Sequence, residues 1–351
     1  MGSGLGTAAQ GIPPSIPGVR EYCTLFDSNY LVKALAMYRS MERRAEPFHL
    51  TAFTFDERAE ALLARLGLAH LSVVPLRELE RHDQALAAVK DDRSPVEYCW
   101  TATPTLPLYL FDTRPDLREV TYIDADLLFY SSPEALFAEM GDASVLITPH
   151  RYAPEYAAHI VSGVYNVQFL TFRRTPDGME ALRWWRERCL EWCYYRLEDG
   201  KLGDQKYLDD WPTRFRGVHE LAHPGGGLAP WNALQYRIEA HGDQVLVDGV
   251  PLVFFHFHRV RLRRSGRHAF RPPGYHLHRD VVRLVYRPYL AALEAARAEI
   301  ERIEPGFDAG LEAEPPLRER VGEARVRVGE AALRRFPALA RVRYPNGVPS
   351  P

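Results

Sequence analysis

The chain has 351 residues, 46% of them hydrophobic and 26% charged, with 44 Lys plus Arg against 46 Asp plus Glu for a formal charge of −2. This is the composition of an ordinary soluble globular protein, and it excludes a disordered or fibrous chain. The near-neutral balance gives no global field for nucleic acid, so no nucleic-acid partner is expected. The uncharged stretch 157–172 is 16 residues long and contains His159, Ser162, Asn166 and Gln168, too short and too polar for a spanning helix.

At roughly 150 residues per domain the expectation is one large α/β domain with an appendage. Residues 1–20 are rich in Gly, Pro and Ser and lack the basic start and apolar middle of a signal peptide; they read as a flexible tail, and the expected location is cytoplasmic. Next, 22–26 is extended, Asp27-Ser28-Asn29 has turn and N-cap chemistry, and Leu31, Ala34, Leu35, Tyr38 and Met41 are spaced as one helix face. Residues 48–53 read as a strand, 56–66 as a helix closed by Gly67, and 71–74 as a strand. Such alternation predicts a mostly parallel sheet with helices on both faces, whose ligands bind outside the carboxyl ends of the strands.

Strand 119–123 runs directly into Asp124-Ala125-Asp126, and strands 144–148 and 164–172 follow. The segment 177–197 reads as a long helix whose aromatic residues, Trp184, Trp185, Trp192, Tyr194 and Tyr195, form a core stripe. Of the four cysteines, Cys23 and Cys99 are isolated, and Cys189 and Cys193 lie four apart on that helix. Neither a zinc site nor a disulfide scaffold fits that spacing, so buried free thiols are expected. Segments 245–247 and 252–257 flank the hairpin signal Asp248-Gly249. Beyond about residue 275 helix formers dominate, divided by Pro315-Pro316. The expected organisation is therefore a tail (1–20), a catalytic domain (21–275) and a C-terminal helical region (276–351).

Three constellations carry chemistry. Strand alternation sends Asp124 and Asp126 to the same side, and paired hard oxygen donors there suit Mg2+ or Mn2+, which bridges phosphates; a solvated turn is the competing reading. His256 ends a separate apolar strand and shares a side with His258, as a ligand or as a satisfied core histidine. The run 203–208 opens a short helix, for which Asp204 serves either as a cap or as a site residue.

In this order the pieces resemble the GT-A fold nucleotide-sugar glycosyltransferases, and most of all the retaining family 8 group that includes bacterial galactosyltransferases and glycogenin. The resemblance covers about 22–264. It implies that Thr24-Leu25-Phe26-Asp27-Ser28-Asn29-Tyr30 holds the nucleoside, with Asp27 and Asn29 in contact with it and Tyr30 on the base. It implies that Asp124-Ala125-Asp126 is the metal-binding DxD lying along the nucleotide, with His256 completing the metal site. Tyr165-Asn166-Val167-Gln168 resembles the stretch that touches the donor sugar. Asp204-Gln205 resembles the pair beneath it, Asp204 on sugar hydroxyls and Gln205 near the anomeric carbon, and these two are the implied catalytic residues. Trp231-Asn232, after a glycine run, is assigned to the sugar or acceptor pocket.

The departures are specific. The family shows Gly three residues after the His and a Lys-Pro-Trp further on; this chain has Arg259 and Leu262 there, so the diphosphate-binding Lys is missing. Only Lys33, Lys90, Lys201 and Lys206 are lysines, and Arg261, Arg263 or Arg264 is the expected substitute, with Arg263 assigned to the nucleotide. A basic residue before the DxD strand is also missing, and His150-Arg151 is the candidate replacement. The implied function is metal-dependent (Mn2+ or Mg2+) transfer of a sugar, with retention, from a UDP-sugar to an acceptor hydroxyl in bacterial glycan or glycoconjugate synthesis. The alternatives are a catalytically silent sugar- or nucleotide-binding protein and a nucleotidyltransferase of similar fold. A homodimer is one option for quaternary structure. The segment 316–343, with eight Arg and three Glu, is a candidate for peripheral membrane contact.

Overall fold

In the computed structural model, which describes residues 12–45, 47–266 and 268–314, strands β1 (Arg20–Phe26), β2 (Phe48–Thr54), β3 (Leu71–Pro75) and β4 (Glu119–Ile123) precede the short β5 (Leu127–Phe129), followed by β6 (Val145–Pro149), β7 (Tyr165–Arg173) and β8 (Val218–Glu220). All but β5 form one seven-stranded sheet in the order β3-β2-β1-β4-β7-β6-β8. Strand β7 runs antiparallel to both neighbours and every other pair is parallel. The fold class is α/β, as the alternation predicts.

The crossovers follow from local chemistry. Helix α1 (Leu31–Arg44) buries Leu31, Leu35, Tyr38 and Met41 against the sheet. Helix α2 (Glu57–Leu66) starts where the Asp56 side chain accepts from Ala59 N and stops at Gly67, whose left-handed φ of 59° a side chain would resist. The second face of the sheet is covered by α3 (Pro176–Glu191) and the helices at Pro95–Ala102 and Thr105–Thr113, with Trp185, Phe111 and Leu106 fully buried. Helix α3 ends six residues before the expected 197. Trp192 turns to extended backbone there, and the next residues pack as a loop on Pro95–Ala102, with Tyr195 N donating to Glu97 at 2.7 Å and the Trp100 and Tyr195 rings 5.4 Å apart. The aromatic stripe is thus divided: Trp185 is core, whereas Tyr195 is 62% exposed. The four cysteines are free, and Cys193 lies beyond the helix that carries Cys189.

Strands β9 (Ile238–His241), β10 (Gln244–Val247) and β11 (Val250–Pro251) form a small antiparallel sheet. Its turn has Asp248 at φ 48° and Gly249 at φ 87°, as the Asp-Gly signal predicts. The expected second arm divides. Leu252 N still donates to Val245 O at 2.8 Å, and beyond it β12 (Phe254–His256) leaves the hairpin and pairs antiparallel with β5. Toward the C-terminus, β13 (Leu262–Arg263) pairs parallel with β14 (Leu311–Glu312), and helix α4 (Arg287–Ile303) lies against α1. Tyr289 stacks on Phe257, and Tyr286 packs edge-on to Phe255 and Phe257, so this helix supports β12 from below. Among the described residues no helix is long and apolar enough to cross a membrane. Residues 316–343 lie outside the described residues.

One buried ion pair fixes the start of the sheet. Arg114 donates two hydrogen bonds to Glu21 at 2.8 and 2.6 Å, and His49 Nδ1 lies 2.9 Å from the same carboxylate. Burial pushes the Glu21 pKa up, but Arg114 and His49 outweigh it and hold it below the usual 4.5. Replacing Arg114 with Met leaves that buried carboxylate with His49 alone and without its two guanidinium hydrogen bonds, and urea unfolding is expected to show a loss of about 3 kcal/mol. Because the folded pKa is the lower one, this stabilisation is present above about pH 4.5 and declines as pH falls through the folded value; the urea midpoint of the native chain should fall over that range.

Candidate active site

The turn between β4 and β5 holds Asp124-Ala125-Asp126, with Asp124 N donating to Gln168 O at 3.1 Å across the sheet. The β5–β12 pairing sets His256 opposite Leu127 and lets Phe257 N donate to Asp126 O at 3.1 Å, which brings the imidazole to the acidic pair. His256 Nε2 is 3.1 Å from Asp126 Oδ1 and 3.7 Å from Asp124 Oδ2. One ligand atom from each of the three lies within 4.8 Å of the other two, close enough for a single divalent ion to draw together. Two carboxylates and an imidazole form a donor set that such an ion accepts. Tyr122, two residues before Asp124 on the same side of the strand, donates its hydroxyl to Asp124 Oδ1 at 2.8 Å and orients it. Burial raises the Asp124 pKa. Burial alone would disfavour charge on Asp126 and His256 as well, but their mutual attraction outweighs it, lowering the pKa of Asp126 and raising that of His256.

A polar wall adjoins this cluster. Asn166 Nδ2 donates to Gln205 Oε1 at 3.0 Å and lies 3.1 Å from His150 Nε2, while Asn166 Oδ1 accepts from Gln168 N. Gln205 Nε2 donates to Ser162 O at 2.8 Å. Asp204 is buried, and its pKa is pushed up to about 8 by that burial and by the charge of Asp124. Asp204 Oδ2, both side-chain polar atoms of Gln168, Thr24 Oγ1 and Trp231 Nε1 are buried with no hydrogen-bond partner among the described residues. Buried polar atoms are ordinarily satisfied, so this set matches a polar ligand. The Trp231 ring stands edge-on to His256, with centroids 5.3 Å apart, and contacts His258 at 5.6 Å. The carboxamide of Asn232 is spent on backbone, accepting from Ala229 N and donating to His150 O and Gly227 O, so it clamps the glycine loop. Gly227, at φ 80°, leaves no room for a Cβ, which would lie 2.5 Å from Thr148 Cγ2.

The β1–α1 loop brings a third group. Asp27 accepts from Asn29 N and Asn29 Nδ2 at 3.0 and 2.7 Å, and Gly310 N donates to Asn29 Oδ1 at 3.1 Å. Phe26 is buried in the core, and Tyr30 is 43% exposed with its hydroxyl in the field of Asp126 and Asp124. Two expectations about basic residues meet other partners. Arg151 donates to the carbonyls of Ala222, His223 and Gly226 and so holds the glycine loop, and burial lowers the His150 pKa to about 3, which makes it neutral. Three of the four arginines in 259–264 face a carboxylate near the C-terminal strand: Arg261 with Glu312 at 3.5 Å, Arg263 with Glu314 at 3.6 Å and Arg264 with Asp308 at 2.9 Å, whereas Arg259 lies 3.4 Å from the Tyr195 hydroxyl. Arg259 adopts a left-handed φ of 60°, the conformation that Gly takes freely, at the place where the resemblance puts a Gly. Two participants escaped the sequence reading, the orienting Tyr122 and Lys33. For each the signal was spacing: i, i+2 to Asp124 along a strand, and i, i+3 from Tyr30 along a helix.

The sheet order, the Asp-x-Asp at its carboxyl edge and the histidine delivered from a separate strand define an α/β protein with a candidate cation site at the edge of its central sheet. Two relatives give the particular family. The chain is 30% identical over 296 residues to the uncharacterized protein YfnD of Bacillus subtilis (strain 168), an alignment covering 83% of this chain and 94% of YfnD. It is 34% identical over 249 residues to the uncharacterized protein YfnF of the same organism, covering 69% of this chain and 82% of YfnF. The chain belongs to the family of these proteins. No protein-family model matches it. Similar solved structures include the galactosyltransferase LgtC in complex with donor and acceptor sugar analogues, at 15% identity and TM-score 0.47 over 78% of this chain and 95% of that one. Mouse xyloside xylosyltransferase 1 is similar at 14% identity and TM-score 0.43, over 68% and 98%.

A divalent ion bound to the cluster would compete with the proton that Asp126 and Asp124 favour on His256. Because those carboxylates outweigh burial and raise the His256 pKa above its usual 6.5, Mn2+ binding should release protons. Below the His256 pKa the affinity should weaken by up to about tenfold per pH unit. Calorimetric titration of Mn2+ in buffers of different ionisation enthalpy measures both.

Proposed function

We propose that this protein is a metal-dependent, retaining glycosyltransferase that moves a sugar from a UDP-sugar to an acceptor hydroxyl. The observation that carries the reading is the convergence of Asp124, Asp126 and His256 at the carboxyl edge of the sheet, next to a wall of buried polar groups from Asn166, Gln168, Asp204 and Gln205. The resemblance of the same residues to the family 8 motifs supports it.

The chemical difficulty is departure of a diphosphate as the C1–O bond breaks. When bound, Mn2+ or Mg2+ neutralises charge growing on the leaving β-phosphate. The protein holds Asp124 in position through Tyr122 and delivers His256 on a strand that cannot slide without breaking the β5–β12 ladder. Asp204, largely protonated at neutral pH when its pKa is near 8, both donates and accepts hydrogen bonds, as sugar hydroxyls require. A neutral carboxyl and a Gln amide are poor nucleophiles, so the groups here favour same-face attack by the acceptor, with the departing phosphate taking its proton. Gln205 and Asn166 brace each other, which fixes the amide groups that would line the sugar.

Asp126→Ala and His256→Ala should each lower metal-dependent sugar transfer by on the order of 10³, with native circular dichroism retained. The assay is UDP release from a panel of UDP-sugars with Mn2+. Full activity of either variant in EDTA would sink the metal-site assignment. A native chain that binds a donor with Mn2+ but neither transfers nor hydrolyses its sugar would leave the silent binding protein as the better reading.

A further inference from the structure

Arg261, Arg263 and Arg264 were the candidates for the missing diphosphate-binding Lys, and each faces a carboxylate instead. Lys33 differs. It lies on the first turn of α1, only 7% exposed, and among the described residues its ammonium makes no hydrogen bond or ion pair; its close partner is the Tyr30 ring, with Nζ 4.0 Å from the centroid. Lysine is rarely buried unpaired, because leaving water disfavours its charge.

The surroundings of that ammonium form a set. Asp27 of the β1–α1 loop, Asp126 of the turn after β4, His256 of β12 and Glu312 of β14 all lie within its electrostatic reach, from four separate elements. Burial lowers the Lys33 pKa, and Asp126, Glu312 and Asp27 oppose that. Asp27 belongs to the loop assigned to the nucleoside, and Asp126 and His256 to the cation cluster. A nucleoside diphosphate that spans the two must therefore carry its phosphates past Lys33. The Tyr30 hydroxyl lies in the field of Asp126, Asp124 and Asp27 as well.

We propose that Lys33, from the helix after the first strand, supplies the cationic contact to the donor diphosphate that Arg261, Arg263 and Arg264 do not. The assignment rests on the glycosyltransferase reading and names the residue of that site that binds the leaving group. A lysine ammonium at the end of a flexible stem meets phosphate as a point charge and complements a metal ion on the other oxygens.

The test is calorimetric binding of UDP and of uridine, each with Mn2+, to the native chain, Lys33→Met and Lys33→Gln. Met keeps the length of the stem and suits a buried position; Gln keeps polarity, so at least one variant is expected to show native circular dichroism. The expected result is a loss of about 10- to 100-fold for UDP, with uridine affinity within about twofold of native. Unchanged UDP affinity, or equal losses for UDP and uridine, overturns the assignment and leaves Lys33 a structural residue. If the native chain binds no UDP with Mn2+, the glycosyltransferase reading fails and the assignment fails with it. That outcome is visible before any variant is compared.

Discussion

The pairing of β12 with β5 is the interaction on which the site depends. Asp124 and Asp126 sit on a turn leaving the central sheet, whereas His256 arrives 130 positions later in sequence on a strand outside that sheet. Three ladder positions, Phe254 with Phe129, Phe255 with Leu128 and His256 with Leu127, convert that separation into a 3.1 Å contact. The strand is held from several sides. His256 N donates to Leu228 O of the glycine loop, Phe254 stacks on Phe169 of β7, and Tyr286 and Tyr289 support Phe255 and Phe257 from the C-terminal helix. A slip of one residue would point the imidazole to the opposite face.

Burial sets the electrostatics around that contact. Two aspartates, a histidine and a lysine share a region with little water, where each charge is tolerable only because the others are close. His256 and Asp126 lie 3.1 Å apart and each favours the other's charged form, so a proton on the imidazole and a divalent ion at this donor set would compete. Asp204 lies close enough to Asp124 to feel its charge and accordingly favours its neutral form. Arg261, Arg263 and Arg264 are engaged by Glu312, Glu314 and Asp308, and Arg151 by carbonyl groups.

Much of the architecture was readable along the chain because it is set by nearest neighbours. The hydrophobic period of 31–41, the Asp56 cap, Gly67 and the Asp248-Gly249 turn all appear where local chemistry puts them. Errors arose where packing overrode propensity. Helix α3 ends at Glu191 because the following aromatic residues pack on Pro95–Ala102, and the strand after Pro251 abandons its hairpin for β5. At Asn232 the sequence left a pocket and an ordinary loop equally open, and the fold spends its carboxamide on backbone.

By itself the sequence determined the α/β class, the acidic pair on one side of a strand end, and the histidine as its candidate partner, since these follow from period and local spacing. Only the tertiary structure decided which cations are available. Arg261, Arg263 and Arg264 are indistinguishable from phosphate binders until the C-terminal segment folds back with Asp308, Glu312 and Glu314. Lys33 is one lysine among four until the chain closes around it. Charge pairing depends on distance in space, and a linear pattern fixes that distance only within one helix or strand.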